Sequence, residues 1–150
     1  MVTNVRQDGI DPAKLIDRWE QVCQKLSTLA TEMPANKFEY KPVDGLRTFA
    51  DVLRHVAFWN YYVADSARGR KADGTGNELP KKEFSNKDQV IDAFKHSSAE
   101  AAAALKGRPA GLSPEMCEMV VSFIEHNCEH YGQLAVYARL TGITPPASRG

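Results

Sequence analysis

The sequence predicts an all-α protein whose four helices pack as a four-helix bundle. Apolar residues recur at intervals of three and four in four separate segments, and each segment is bounded by capping, glycine or proline residues. No segment shows the alternating pattern of a β-strand. The 150 residues are enough for one compact domain with its own core. We therefore predict a single domain over residues 1–150, built as a four-helix bundle.

The first helix is predicted to begin at Asp11, an N-cap residue followed by Pro12 at the first helical position. Pro34 closes it. Its apolar stripe consists of Leu15, Trp19, Val22, Leu26 and Leu29. The next segment, residues 35–47, carries several apolar side chains that can anchor it to the bundle, so we expect an ordered connector.

The second helix is predicted to begin after Thr48, with Asp51 in the position of a capping box. Its apolar face is formed by Val52, His55, Val56, Trp59, Tyr62 and Val63. Gly69 is suited to the position just beyond the helix. Residues 69–84 are rich in Gly, Lys and Asp without periodicity, and we expect a loop there.

The third helix is predicted to begin after Ser85, with Asp88 three residues later, and to end at Gly107. The fourth helix is predicted between Ser113 and Gly142, a length of about 40 Å at 1.5 Å per residue. The connections between the first three helices are long enough to cross the bundle. Loop length therefore leaves the topology open.

Composition and charge exclude several functional classes. Lys and Arg number 19, as do Asp and Glu, so the net charge is zero and we expect neither nucleic acid nor an anionic membrane as a partner. No apolar stretch is long enough for a transmembrane helix, and residues 1–8 lack the apolar region of a signal peptide. The three cysteines form an odd set without paired spacing, which is typical of reduced thiols. We expect a cytoplasmic protein.

The residues with the most informative spacing are His126 and His130, which lie one turn apart on the fourth helix. Their face should point into the bundle. His55 lies on the apolar face of the second helix, so three imidazoles could converge there. Three protein ligands would leave coordination positions open, as in catalytic metal sites. Imidazole ligands suit Zn, Ni, Fe or Cu, and the sequence does not choose among them.

Another interpretation is that these histidines are hydrogen-bonded core residues without a metal. One class of metalloprotease is excluded, because its motif places Glu directly after the first histidine and Asn127 stands there. Glu125 and Glu129 flank the pair and point away from it. We expect them to be surface carboxylates or partners that orient the imidazole N–H groups.

Four further residues share the faces of the histidines: Trp59, Tyr62, Gln133 and Tyr137. We expect them to be core residues first, and candidate walls of a pocket second. His96 falls off the apolar stripe of the third helix, so we expect a solvated side chain. The cysteines have no neighbouring cation that would activate a thiol, so we expect them to be inert.

Two stretches resemble the DinB/YfiT-like family: Leu46–Ala57, which contains His55, and His126–Pro146, which contains both histidines of the fourth helix. The segment Phe38–Gly45 also looks like the first connector of that family. The resemblance runs over nearly the whole chain, with residues 69–84 excepted.

This resemblance implies a four-helix bundle, often a homodimer, with a divalent metal held by the counterparts of His55, His126 and His130. Characterised relatives include thiol transferases that use bacillithiol, mycothiol or glutathione, and a mycothiol-dependent maleylpyruvate isomerase. By resemblance we expect zinc or nickel, a low-molecular-weight thiol as cosubstrate and an electrophilic small-molecule substrate. Two alternatives stay open: a hydrolase that activates water, and a non-catalytic, stress-related bundle that binds a metal or ligand.

Overall fold

The computed structural model describes residues 9–150 and contains four long helices: α1 (Pro12–Glu32), α2 (Phe49–Ala67), α3 (Lys87–Lys106) and α4 (Pro114–Leu140). Short 3₁₀ turns occupy Ala35–Lys37 and Pro146–Ser148, and no β-strand occurs between residues 9 and 150. The predicted all-α fold is confirmed. The signal-peptide prediction concerned residues 1–8, which lie outside the described residues. From residue 9 onward, none of the helices combines the length and the apolar character needed to cross a membrane.

Three of the four predicted helix starts are confirmed by their caps. In each, a side-chain oxygen accepts a hydrogen bond from an amide two or three residues later: Asp11 from Ala13, Thr48 from Asp51 and Ser113 from Met116. These bonds satisfy amides that have no partner within the helix. The carboxylate of Asp51 does not complete a capping box and instead pairs with Arg54 at 2.6 Å.

The predicted cap of α3 is wrong by one residue, because Asn86 and not Ser85 is the N-cap. The Asn86 side chain accepts from the Gln89 amide at 2.9 Å, and the Gln89 side chain accepts from the Asn86 amide at 3.4 Å. Gln89 therefore completes the capping box that was expected of Asp88. Ser85 also donates to the Gln89 side chain, through its amide and its hydroxyl.

Contacts along the helices determine the topology that the sequence left open. The end of α1 meets the start of α3, where Lys87 donates to the Thr31 carbonyl at 2.8 Å, and Glu20 pairs with Lys106 at the opposite ends. These two helices are therefore antiparallel. Helix α4 is antiparallel to α2, since His55 lies beside His126 and, one turn later in α2, Trp59 stacks on Phe123, which precedes His126 in α4.

Helices α2 and α3 are parallel, an uncommon relation for helices that follow one another in the chain. Asn60 contacts Ser97, and one turn or two further along Arg68 pairs with Glu100. The order is thus up-down-down-up, with α1 packed against α3 and α4, and α2 also packed against α3 and α4. The segment between α2 and α3, residues 68–86, must return along the whole bundle; we call it the crossover.

The core lies between the four apolar stripes. Its largest fully buried apolar side chains include Trp19, Leu26, Leu29, Phe49, Leu53, Phe94, Leu105 and Leu134. Burial of each such side chain contributes about 1.5–3 kcal/mol relative to exposure. This core fixes the relative positions of α2 and α4, which carry the histidines.

The crossover is irregular, as predicted, and it packs against α2. The Leu79 amide donates to the Arg54 carbonyl at 3.2 Å, and the Arg54 side chain donates to the Phe84 carbonyl at 2.8 Å. Arg54 is only 1% exposed and also binds Asp51 and Glu39. This one guanidinium therefore fastens both the connector and the crossover to the start of α2.

Candidate metal centre

Three histidines from two helices meet on the inner side of the bundle. His55 of α2 is 7% exposed, whereas His126 and His130 of α4 are partly exposed. Their ring centroids are separated by 4.6 to 4.9 Å. Each ring offers one nitrogen to a common point, and these nitrogens lie within 4.8 Å of one another. The structure thus brings together the three side chains that the sequence predicted to converge.

The Nδ1 atom of His55 lies 2.7 Å from the main-chain carbonyl of Asn77 in the crossover. Asn77 has φ of 61°, a left-handed conformation that asparagine adopts more readily than most residues. Its side chain accepts from the Trp59 indole at 2.9 Å, which holds the turn against α2. Since a carbonyl only accepts, Nδ1 of His55 must carry the ring proton.

The Nδ1 atom of His126 lies 3.1 Å from the side-chain oxygen of Asn127. Asn127 is fully buried, and its amide group donates to the Cys23 sulfur at 3.7 Å. The amide nitrogen faces the sulfur, so the amide oxygen faces His126. Nδ1 of His126 must therefore be the donor.

A hydrogen-bonded series on α4, which we call the α4 polar line, holds His130. The Arg47 carbonyl accepts from the Tyr137 hydroxyl at 3.0 Å, and that hydroxyl accepts from the Gln133 amide group at 2.9 Å. The Gln133 oxygen is then left to face Nδ1 of His130 at 3.0 Å. Because the line starts at a main-chain acceptor, each donor along it is determined, and Nδ1 of His130 is protonated.

These three partners leave the inward-facing nitrogens without protons when the rings are neutral. The Nε2 atoms of His55 and His126 lie 2.9 Å apart, and neither has a hydrogen to place between them. Two facing lone pairs at this distance repel each other unless a cation lies between them. The bare nitrogens therefore fit a metal ion, and they do not fit the alternative of histidines bonded to one another.

The separation between His55 and His126 is also close to that of a coordination shell. Two nitrogens bound to one ion at about 2.1 Å, with angles between 90° and 109°, would lie about 3.0 to 3.4 Å apart. The Nε2 atoms of these two rings are 2.9 Å apart, just below this range. Acceptors on the outer nitrogens are the usual support of metal-binding imidazoles.

Burial keeps the centre neutral. It lowers the pKa of His55 from 6.5 to about 4, partly opposed by the Asn77 carbonyl and reinforced by the charge of Arg47. Burial also lowers the pKa of His126, partly opposed by its bond to Asn127. Both rings are therefore neutral at pH 7, the form in which imidazole binds metals.

Of the two expectations for Glu125 and Glu129, the structure supports surface carboxylates and not partners of the imidazoles. The outer nitrogens bind the Asn77 carbonyl and the side chains of Asn127 and Gln133 instead. Both carboxylates are exposed on the outside of α4. Uncharged acceptors fit this half-buried position better, because a carboxylate would lose much of its hydration there.

Aromatic side chains form a wall beside the histidines. Trp59 and Tyr62, both predicted as possible pocket walls, lie with ring centroids 5.1 Å apart. Phe123 stacks on Trp59 at 5.6 Å and meets the edge of His126 at 5.7 Å. Phe123 was not among the predicted pocket residues. Tyr137, the fourth predicted pocket residue, is 2% exposed and belongs to the α4 polar line.

The remaining chemically active residues lie elsewhere. His96 is exposed on α3 and its Nδ1 atom lies 2.7 Å from the Tyr61 hydroxyl, in agreement with a solvated side chain. Burial raises the pKa of the Cys23 thiol to about 12, which makes it inert. Cys128 is exposed.

The fold and the cluster together define a helical bundle with three histidines positioned to hold a metal ion. A family model described as the DinB superfamily matches residues 18–134. The chain belongs to this superfamily, and the match includes all three histidines. A search of curated proteins gives no significant match.

Proposed function

We propose that this protein holds one divalent transition-metal ion through His55, His126 and His130 and uses it in the transfer of a low-molecular-weight thiol to an electrophilic small molecule. The observation that carries the metal centre is the set of three acceptors on the outer nitrogens, which leave the other nitrogen of each ring free for a metal ion. Zinc and nickel both suit an all-imidazole site.

The thiol chemistry is supported by the open side of the site and by the resemblance to known thiol transferases. Three protein ligands leave room for an exogenous ligand. A divalent ion bound there would supply charge that stabilises a thiolate relative to the thiol. Burial keeps the imidazoles of His55 and His126 neutral, and the polar partners orient the rings. The wall of Trp59, Tyr62 and Phe123 offers an apolar surface for the electrophile.

Metal content, measured by elemental mass spectrometry, tests the centre. The wild-type chain should retain about one equivalent of a transition metal, and His126→Ala should lose it. His96→Ala is the matched control, since it removes an exposed histidine outside the cluster and should keep the metal. No metal in the wild type after reconstitution with zinc, nickel and cobalt would refute the centre.

The cobalt-loaded protein tests the thiol step. A thiol that adds to the site should produce a new charge-transfer absorption, and the loaded protein should then modify an electrophile faster than free thiol does. A cobalt spectrum that no thiol or anion alters would refute the enzyme and favour a non-catalytic metal-binding bundle. Hydrolysis of an ester without thiol would favour the use of water instead.

A further inference from the structure

An ion pair between Arg47 and Glu78 lies beside the candidate metal centre. Arg47 ends the connector, Glu78 lies in the crossover, and Nε of Arg47 donates to the Glu78 carboxylate. The two side chains are 37% and 35% exposed, so solvent reaches both of them. An ion pair this exposed contributes little to stability. The pair is therefore easily replaced by another anion.

Both residues are attached to groups that hold the histidines. The main-chain carbonyl of Arg47 is the acceptor at the end of the α4 polar line, 3.0 Å from the Tyr137 hydroxyl. Glu78 directly follows Asn77, whose carbonyl accepts from His55 at 2.7 Å. The ion pair thus joins, at the surface, the two chain segments that orient the imidazoles.

The guanidinium of Arg47 has unused hydrogen-bond donors beside these segments. Within residues 9–150, only the Nε–H group of its side chain is engaged in a hydrogen bond. The two terminal nitrogens can therefore present a planar pair of donors, the geometry that binds a carboxylate in bidentate fashion.

We propose that Arg47 binds a carboxylate group of the thiol cosubstrate through its two terminal nitrogens, and that Glu78, held on Nε, competes with this carboxylate for the charge of the guanidinium. The ligand class is a small thiol that also carries a carboxylate, with the sulfur directed to the three-histidine centre and the carboxylate to Arg47. Glu78 keeps the guanidinium paired when no substrate is bound. This inference rests on the proposed function, and it adds a specificity-determining residue to it.

Thiol binding to the cobalt-loaded protein tests the assignment without any turnover. Two probes are titrated, 3-mercaptopropionate and the neutral 2-mercaptoethanol, and the charge-transfer absorption gives the Kd of each. The measured quantity is the ratio of the two Kd values. Differences in intrinsic thiol affinity cancel when this ratio is compared between variants.

Arg47→Gln should reduce the preference for 3-mercaptopropionate by about tenfold and leave the Kd of 2-mercaptoethanol nearly unchanged. Glu78→Gln should increase the preference, because it removes the competing anion. Arg70→Gln is the matched control. Arg70 is 66% exposed and lies near Asp65, about 15 Å further along α2 than His55, so its removal should not alter the ratio.

An unchanged ratio in Arg47→Gln, with both thiols still bound, would refute the role of Arg47 and leave the metal centre intact. Weaker binding of 3-mercaptopropionate by Glu78→Gln would also refute the role of Arg47 and leave the metal centre intact. A wild-type protein that binds no cobalt, or whose spectrum neither thiol changes, would refute the proposed function and this inference together. Circular dichroism of each variant confirms that the bundle is folded.

Discussion

At the scale of single residues, the site depends on uncharged acceptors. A main-chain carbonyl, an asparagine and a glutamine each fix the proton of one imidazole on its outer nitrogen. None of them adds charge to a half-buried location, and each determines the tautomer that leaves Nε2 free for a ligand. These acceptors should therefore matter for metal affinity nearly as much as the histidines.

Gln133→Leu should weaken zinc binding by about 10- to 100-fold, because it removes the acceptor of His130 and interrupts the α4 polar line. The Kd is measured by competition with a chromophoric chelator. Gln24→Leu is the control, since Gln24 is exposed on α1 and its side chain bonds, among the described residues, only to Thr28 one turn later. Equal affinities in the two variants would show that the line does not support the metal.

The lowered pKa of His55 makes the metal-free protein sensitive to acid. The folded protein has a pKa of about 4 at this ring, and the unfolded chain about 6.5. The unfolded state therefore binds more protons between these values, so stability is complete above pH 6.5 and is lost as pH falls toward 4. This ring should account for about 2 kcal/mol of the loss between pH 7 and pH 5.

Urea unfolding of chelator-treated protein at pH 7 and pH 5 measures this loss. His55→Gln should lose less stability over the same interval, and the difference between the two proteins isolates the ring from the carboxylates. His96→Gln should behave as the wild type does. A His55→Gln variant with the full acid sensitivity of the wild type would contradict the assignment.

At the scale of elements, the caps determine where each helix begins. Asn86→Ala should lower the free energy of unfolding by about 1 kcal/mol, because it removes the oxygen that accepts from the start of α3. Ser85→Ala should cost less, since the hydroxyl reaches only the Gln89 side chain. Urea unfolding of both variants decides between the two caps. A larger loss in Ser85→Ala would reverse the assignment.

Local signals made much of the helical fold predictable. Asp11, Thr48 and Ser113 cap the nearest amides, and such bonds depend on a few adjacent residues. The cap of α3 was misplaced because Ser85 and Asn86 are both good capping residues, and the choice depends on Gln89. The topology was not predictable, since the crossover length permits more than one path.

The side chains of the candidate site could be predicted from the sequence, but the main-chain group that supports them could not. Helical spacing and apolar faces brought out His55, His126 and His130. The contact between the Asn77 carbonyl and His55 could not be predicted from the sequence pattern, because the carbonyl is a main-chain group and lies 22 residues from His55. In the sequence, Asn127 stands out only because it occupies the position where one class of metalloprotease has Glu. A buried asparagine within a helix nevertheless indicates a specific hydrogen-bond partner.

At the scale of the whole molecule, the metal would link α2 and α4, which lie 71 residues apart at His55 and His126. Binding to the folded state alone stabilises it by about 2.7 kcal/mol when free metal is 100 times the Kd. For a chain of this size, the Tm should rise by about 5 to 10 °C.

A thermal melt with and without zinc, after removal of bound metal, measures this shift. His96→Ala should show the wild-type increase and His126→Ala should show none. A His126→Ala variant that is stabilised as strongly as the wild type would indicate that zinc binds somewhere other than the cluster.

The distribution of the cluster over the chain has a consequence for biosynthesis. The first three helices and the crossover leave the ribosome before α4, so His55 leaves the exit tunnel before the other two members of the cluster. A single imidazole cannot hold the ion firmly, and the other ligands follow only with residues 126–130. Metal acquisition must then come after the synthesis of α4.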